Sequence, residues 1–258
     1  MVEILIVNLR RFLYLSGDFD SIHASVSNPV NKSIRDISVF LNVRQSSTRC
    51  KNKMLRPFCG TTLIDICLEK LHELTNYKVY YGAHEEELLE KAVPYEFLNI
   101  VKRSYESAHS HNEGKLVFEM LNKINTKWVL WINPCTPFLK MHTVKRAINE
   151  FLVIENNSLT SVKKVHGWFY DKIGNPITNK DNKIATQESD HLFEAAHAFH
   201  IYRREYMLDN GKPWLNQKGE PYLFEIPYDE SYDIDSENDF VTVESLFTHL
   251  FHQTMKIS

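Results

Sequence analysis

Ile37-Ser38-Val39-Phe40-Leu41-Asn42-Val43 is a short apolar, β-branched run that stops at a polar stretch, Arg44-Gln45-Ser46-Ser47-Thr48-Arg49-Cys50-Lys51-Asn52-Lys53. A run of that length bounded by polar residues reads as a buried strand feeding a loop. Within residues 61–75, Ile64, Cys67, Leu68, Leu71 and Leu74 recur at helical spacing, and Thr61 or Thr62 can cap the helix start. Strand, loop and helix in that order open a layered α/β fold.

The same alternation continues. Residues 77–82, 98–102 and 127–132 read as strands, with an acidic helix start over 85–92 and a further helix over 142–153. Residues 112–124 place Val117, Met120, Leu121 and Ile124 on one helical face. This predicts a mostly parallel, Rossmann-like sheet flanked by helices, which takes its ligands beyond the carboxyl ends of the strands. After residue 153 the pattern changes: 158–166, 194–202 and 221–226 read as strands without regular helices between them, a small antiparallel extension. A last helix starts at Ser236, with Asp239 completing its cap and Phe240, Val243, Phe247 and Leu250 on one face. The chain divides into an N-terminal extension, residues 1–36, with no assigned role, and a main domain over 37–258.

With 258 residues, 43% hydrophobic and 24% charged, the chain is globular and long enough to bury a full core. Thirty Lys and Arg against 33 Asp and Glu give a formal charge of −3, so no overall basic field exists to hold a nucleic-acid polymer. The apolar opening Met1–Val7 is broken by Asn8, Arg10 and Arg11, too short for a bilayer span and wrongly flanked for a secretory signal. Four cysteines without a C-x-x-C pair fit a reduced, cytoplasmic protein. The aromatic residues read as core filling, since no basic stripe accompanies them.

Three constellations carry chemistry. The loop Arg44–Lys53 sets four cations among three hydroxyls directly after a strand, and so can surround a triphosphate with charge-assisted hydrogen bonds. It is neither a G-x-x-x-x-G-K loop nor a G-x-G-x-x-G turn, and a solvated basic loop is its plain alternative. Asn133-Pro134-Cys135-Thr136-Pro137 ends the central strand 127–132; its prolines rigidify a turn, and the Asn133 amide can meet a base or sugar edge. Ser231-Tyr232-Asp233-Ile234-Asp235 precedes the last helix. Alternation along an extended segment turns Asp233 and Asp235 to one point and Ile234 into the core, and two carboxylates with phosphate oxygens suit Mg²⁺.

In this order and spacing the constellations resemble the cytidylyltransferases that activate acidic sugars: the acylneuraminate (CMP-sialic acid) synthetases, the 3-deoxy-D-manno-octulosonate cytidylyltransferases and the spore-coat polysaccharide proteins. Val43 to Met54 resembles that family's A-R-x-G-S-x-R-x-x-x-K-N, and Leu55 to Ile64 its L-x-P-x-x-G-x-P-L-I. Asn133 to Pro137 resembles Q/N-P-T-S-P, and Asp233-Ile234-Asp235 the D-I-D metal site. Four places depart from the pattern. Ser46 stands for the glycine, Met54 for the Asn after the loop lysine, and Tyr81-Gly82-Ala83-His84 for S-T-D. The sugar-side N-G-A with its aromatic reads Ala196-His197-Ala198-Phe199-His200.

The resemblance implies a nucleotidyltransferase domain that moves CMP from CTP to the anomeric hydroxyl of an acidic, nonulosonic-type sugar, releasing pyrophosphate, for surface glycan biosynthesis. Arg44, Lys53, Asp233 and Asp235 are the expected catalytic residues, with Mg²⁺ on the two aspartates. Arg44, Ser46, Ser47, Thr48, Arg49, Lys53 and Asn133 are expected to bind the nucleotide. The sugar carboxylate needs a cation or donors, for which His197 and Lys164 are the candidates. His197 and His200, three apart in a strand, are expected on opposite faces, so that at most one enters the pocket. His109 and His111 have no third ligand at zinc spacing and read as a polar loop. A homodimer is left open. A member that has lost turnover and serves as a nucleotide-binding, glycan-binding or partner protein is the alternative.

Overall fold

The computed structural model describes residues 32–110, 112–178, 181 and 184–255. Most of the N-terminal extension, residues 1–31, lies outside the described residues, as does His111 of the His109/His111 pair.

Seven strands form one sheet in the order β5-β4-β1-β6-β8-β7-β9. They are β1 Ile37–Asn42, β4 Lys78–Ala83, β5 Leu98–Lys102, β6 Trp128–Ile132, β7 Leu159–His166, β8 His191–Arg203 and β9 Tyr222–Glu225. A two-stranded ribbon, β2 Pro57–Phe58 with β3 Thr61–Thr62, lies apart. The helices are α1 Leu63–Leu71, α2 Glu86–Ala92, α3 Tyr105–His109, α4 Gly114–Val117, α5 Met141–Phe151, α6 Arg204–Asn210 and α7 Glu237–Met255. Strands β5, β4, β1 and β6 pair in parallel, as the βαβ alternation predicts. The extension continues the same sheet: β8 runs antiparallel to both β6 and β7, and β9 returns parallel to β7.

Alternation along the central strands builds two cores. Ile37, Val39 and Leu41 of β1 join Trp128, Leu130 and Ile132 of β6 in the larger cluster, which also takes in α1, α5 and the start of α7. Phe40 and Val129, one residue out of phase, face Met120, Leu121, Tyr202 and Met207 on the other side. Helix α1 begins where Thr62 Oγ1 accepts from Asp65 N at 3.2 Å, a cap of about 1 kcal/mol. Lys32 Nζ donates to Phe151 O, Ile154 O and Asn156 O and so satisfies carbonyls at the end of α5.

Two elements differ from expectation. The face read over 112–124 is split into α4 and a 3₁₀ turn, Glu119–Lys123, because Phe118 leaves helical geometry at φ −108°, ψ 25°. Met120, Leu121 and Ile124 are buried all the same. On α7, Phe240 and Val243 are buried and Phe247 packs on the core, whereas Leu250 is 41% exposed. The Ser236/Asp239 cap forms as read: Asp239 Oδ2 accepts from Ser236 N and Ser236 Oγ accepts from Asp239 N.

Candidate active site

Strand β1 has β4 on one side and β6 on the other, so the chain reverses its direction of growth across the sheet between β1 and β6. A crevice opens at the carboxyl ends of strands placed this way. Here it is a cleft of about 450 Å³, lined at its base by Asn42, Val43, Trp131 and Asn133.

The three constellations meet in it. Arg44, Ser47, Thr48, Arg49 and Lys53 line the cleft from the loop after β1, Asn133 from the turn after β6, and Asp233 and Asp235 from the segment before α7. Buried Cys50 and Met54 anchor the loop. Met54, where the resemblance has Asn, also lines the cleft, with an apolar side chain in place of an amide. Ser46 is not part of the lining; its Oγ donates to Ala108 O at 3.1 Å, docking the loop on α3. Ser46 also does without the glycine's freedom, since its φ is not positive. Ile234 is fully buried while both neighbouring aspartates face the cleft.

The charges are tightly arranged. Asp235 Oδ1 lies 2.9 Å from Arg49 Nη2 and 3.5 Å from Lys53 Nζ. Burial, and next the neighbouring Asp235, push the Asp233 carboxyl up to about 6. Burial works against the charge of Lys53, but Cys135, Asp233 and Asp235 outweigh it and raise its pKa; Nζ donates to Ile234 O at 2.5 Å. Arg44 is lowered by burial and donates to Ser110 O at 2.8 Å.

The Asn133 side chain is committed to protein partners: Nδ2 donates to Asp233 Oδ1 at 3.1 Å and Oδ1 accepts from Cys135 N at 3.0 Å. It orients an aspartate from the wall of the cleft. His197 reaches the cleft from β8, while Lys164, exposed on β7 opposite Phe193, is not among the lining residues.

The expectation that His197 and His200 face opposite ways is corrected. β8 bulges there: the register with β7 shifts between Thr160 and Val162, and His197 has φ 50°. The three extra residues this puts into β8 bring both rings to one side, where His197 Nδ1 lies 3.3 Å from His200 Nε2. His200 itself is fully buried, so one of the two lines the cleft. His109 stacks on Tyr105 with ring centroids 3.9 Å apart. Among the described residues no group of three or more His, Cys, Asp or Glu gathers to hold a metal ion.

Four contributors escaped the sequence reading. Asn42, Trp131 and Cys135 line the cleft. Alternation was the available signal for two of them, since Asn42 and Trp131 lie two residues before lining residues Arg44 and Asn133. Arg103 has no such signal. It is buried, and its guanidinium donates to Val43 O at 2.9 Å, Ser107 O at 2.6 Å and Val117 O at 3.0 Å. It ties the start of the cationic loop to α3 and α4; burial, and then Arg44, hold it down to about 10.

A parallel sheet with one reversed strand, and a switch-point cleft setting cations against paired carboxylates, define a nucleotidyltransferase-like α/β protein. A profile of the cytidylyltransferase family matches residues 39–257, and the chain belongs to that family. No curated protein sequence matches it. Among solved structures it is similar to a CMP:2-keto-3-deoxy-manno-octonic acid synthetase complexed with CTP, at 11% identity and TM-score 0.58 over 83% of this chain and 98% of that one. It is also similar to 4-diphosphocytidyl-2C-methyl-D-erythritol synthase from Anaerococcus prevotii, at 12% identity and TM-score 0.57 over 83% and 99%. A cytidylyltransferase from Leptospira borgpetersenii shares 15% identity at TM-score 0.54 over 83% and 87%. At these identities the likeness is one of fold. Among the described residues no helix is long and apolar enough to cross a membrane.

Proposed function

We propose that the protein transfers CMP from CTP to the anomeric hydroxyl of an acidic, nonulosonic-type sugar, releasing pyrophosphate, as a cytoplasmic step in surface glycan synthesis. The observation that carries this reading is the gathering of Arg44, Arg49 and Lys53 opposite Asp233 and Asp235 in one cleft. Phosphoryl transfer is mostly positioning and electrostatic stabilisation, and three cations beside a strand end suit a triphosphate.

The aspartate pair fits Mg²⁺. Two carboxylates line one cleft, and Asp233, raised first by burial and then by Asp235, is a buried oxygen donor of the kind a hard divalent cation takes. Asp233 and Asp235 would hold the ion, with Asn133 orienting Asp233. When bound, Mg²⁺ supplies charge neutralisation at the phosphate oxygens and lowers the pKa of a nearby hydroxyl. Arg44, Arg49 and Lys53 bind the triphosphate from the loop docked on α3. His197, which lines the cleft from β8, is the residue on the sugar side.

Pyrophosphate release measured with each of the four nucleoside triphosphates and a panel of acidic sugars tests this. CTP-specific, Mg²⁺-dependent release with a keto-acid sugar is the expected result. CTP binding without release for any acceptor overturns it in favour of a nucleotide-binding member that has lost turnover.

A further inference from the structure

Among the residues of β8, His197 alone has positive φ. Side chains with a β-carbon rarely adopt that region, and such strain persists where the surroundings over-determine it, often at functional sites. What surrounds His197 is a chain of hydrogen-bonding groups. Its Nδ1 lies 3.3 Å from His200 Nε2, and His200 Nδ1 lies 2.7 Å from Thr160 Oγ1. His200 is enclosed by Trp131, stacked at 5.1 Å and 19°, and by Trp214 at 4.8 Å.

Burial, and next His197, hold the His200 imidazole down to about 3, so at neutral pH it carries one N–H and one bare nitrogen. Of the two hydrogen-bond directions this chain allows, the one in which His200 gives Nδ1–H to Thr160 Oγ1 has its bare Nε2 accept from Nδ1–H of His197 and leaves His197 Nε2 as a lone pair.

We propose that His197 Nε2 is the proton acceptor for the attacking hydroxyl, with His200 and Thr160 as the residues that position it. This rests on the nucleotidyl-transfer reading above. In the step, the hydroxyl O–H bond breaks and its proton passes to His197 Nε2. The oxygen's electron pair forms the bond to the α-phosphorus, and the bond from that phosphorus to the bridging oxygen breaks, its electrons leaving on pyrophosphate. His197 keeps Nδ1–H on His200 throughout, so no second proton has to move. The other titratable groups facing the same cleft are Arg44, Arg49, Lys53, Cys135, Asp233 and Asp235.

The test compares pyrophosphate release by the wild type, His197→Asn, His197→Gly and His200→Gln with CTP, saturating Mg²⁺ and the acidic-sugar panel, from about pH 5 to about pH 9. Asn accepts left-handed backbone but takes up no proton in this range, so His197→Asn loses kcat by roughly 100-fold or more with KM for CTP little changed. Asp233 is present in every variant, and the difference between the wild-type and His197→Asn profiles therefore reports on His197. His197→Gly keeps the left-handed backbone and removes the ring, and added imidazole restores part of its lost rate. His200→Gln lowers kcat while imidazole gives it no rescue. A His197→Asn enzyme within threefold of the wild type, or a His197→Gly enzyme that imidazole does not rescue, overturns the proposal alone. Absence of release by the wild type with every acceptor overturns the transfer reading and the proposal with it.

Discussion

Asn133 Nδ2 donates to Asp233 Oδ1 at 3.1 Å, across 100 residues of sequence, joining the end of β6 to the segment that leads into α7. The same asparagine takes Cys135 N on its carbonyl oxygen, so a turn and an aspartate share one orienting residue. Removing the amide frees the aspartate to rotate. Asn133→Ala is expected to lower Mg²⁺-dependent turnover roughly 10- to 100-fold, the usual cost of losing a group that orients a metal ligand. Titrating Mg²⁺ in the turnover assay checks it, and an unchanged Mg²⁺ requirement refutes it.

Asp233→Asn separates stability from activity. The carboxyl pKa is raised to about 6, so its contribution to stability is full below the unfolded value near 3.9 and is lost as pH rises through about 6. At pH 8 the variant is therefore more stable than the wild type, by on the order of 1–3 kcal/mol, and the gain shrinks towards pH 4. Saturating Mg²⁺ narrows the gap, since only the wild type binds it well. Denaturant unfolding at two pH values gives the answer, and both Asp233→Asn and Asp235→Asn lose Mg²⁺-dependent turnover.

Arg44 and Arg56 are both near the cationic loop, yet only Arg44 lines the cleft; Arg56 pairs with Glu237 at 2.5 Å and lies over Phe240. Arg44→Glu is expected to weaken CTP binding tenfold or more, and Arg56→Glu little. Calorimetry distinguishes them, and equal losses would make the loop a diffuse surface field.

Arg103 is buried among carbonyl and hydroxyl oxygens. Arg103→Met strands buried acceptors at Val43 and Ser107 and is expected to cost about 2–4 kcal/mol. Arg103→Lys, with one donor group in place of a fork, recovers part of this. If Arg103→Met unfolds at the wild-type denaturant concentration, the guanidinium is not what secures the loop.

His200 makes stability fall in acid. Its pKa is depressed to about 3, so the neutral imidazole's contribution is fully present above the unfolded value near 6.5 and is lost as pH falls towards 3. Between pH 6.5 and pH 5 the wild type should lose on the order of 2 kcal/mol more than His200→Gln does. Parallel slopes for the two proteins would show that His200 does not titrate this way.

Short-range patterns were enough to read the alternation of β1, α1, β4, α2, β5 and β6 in the sequence, because each strand's apolar run and each helix's apolar stripe is a local consequence of burying one face. The pairing of Asp233 with Asp235, around a buried Ile234, was equally local. The cationic loop was visible as composition, and its place after a strand pointed to the cleft. Long-range packing set the rest. Asn133 became the partner of Asp233, and Arg103 the anchor of Val43, through contacts between segments 100 and 60 residues apart that no periodicity encodes. The bulge at His197 reversed an argument from strand alternation, since an odd number of extra residues, three here, with left-handed backbone at His197, exchanges the two faces of the strand. Local patterning sets which face of an element is buried; the side chain that finally reaches the cleft depends on how the elements register against one another.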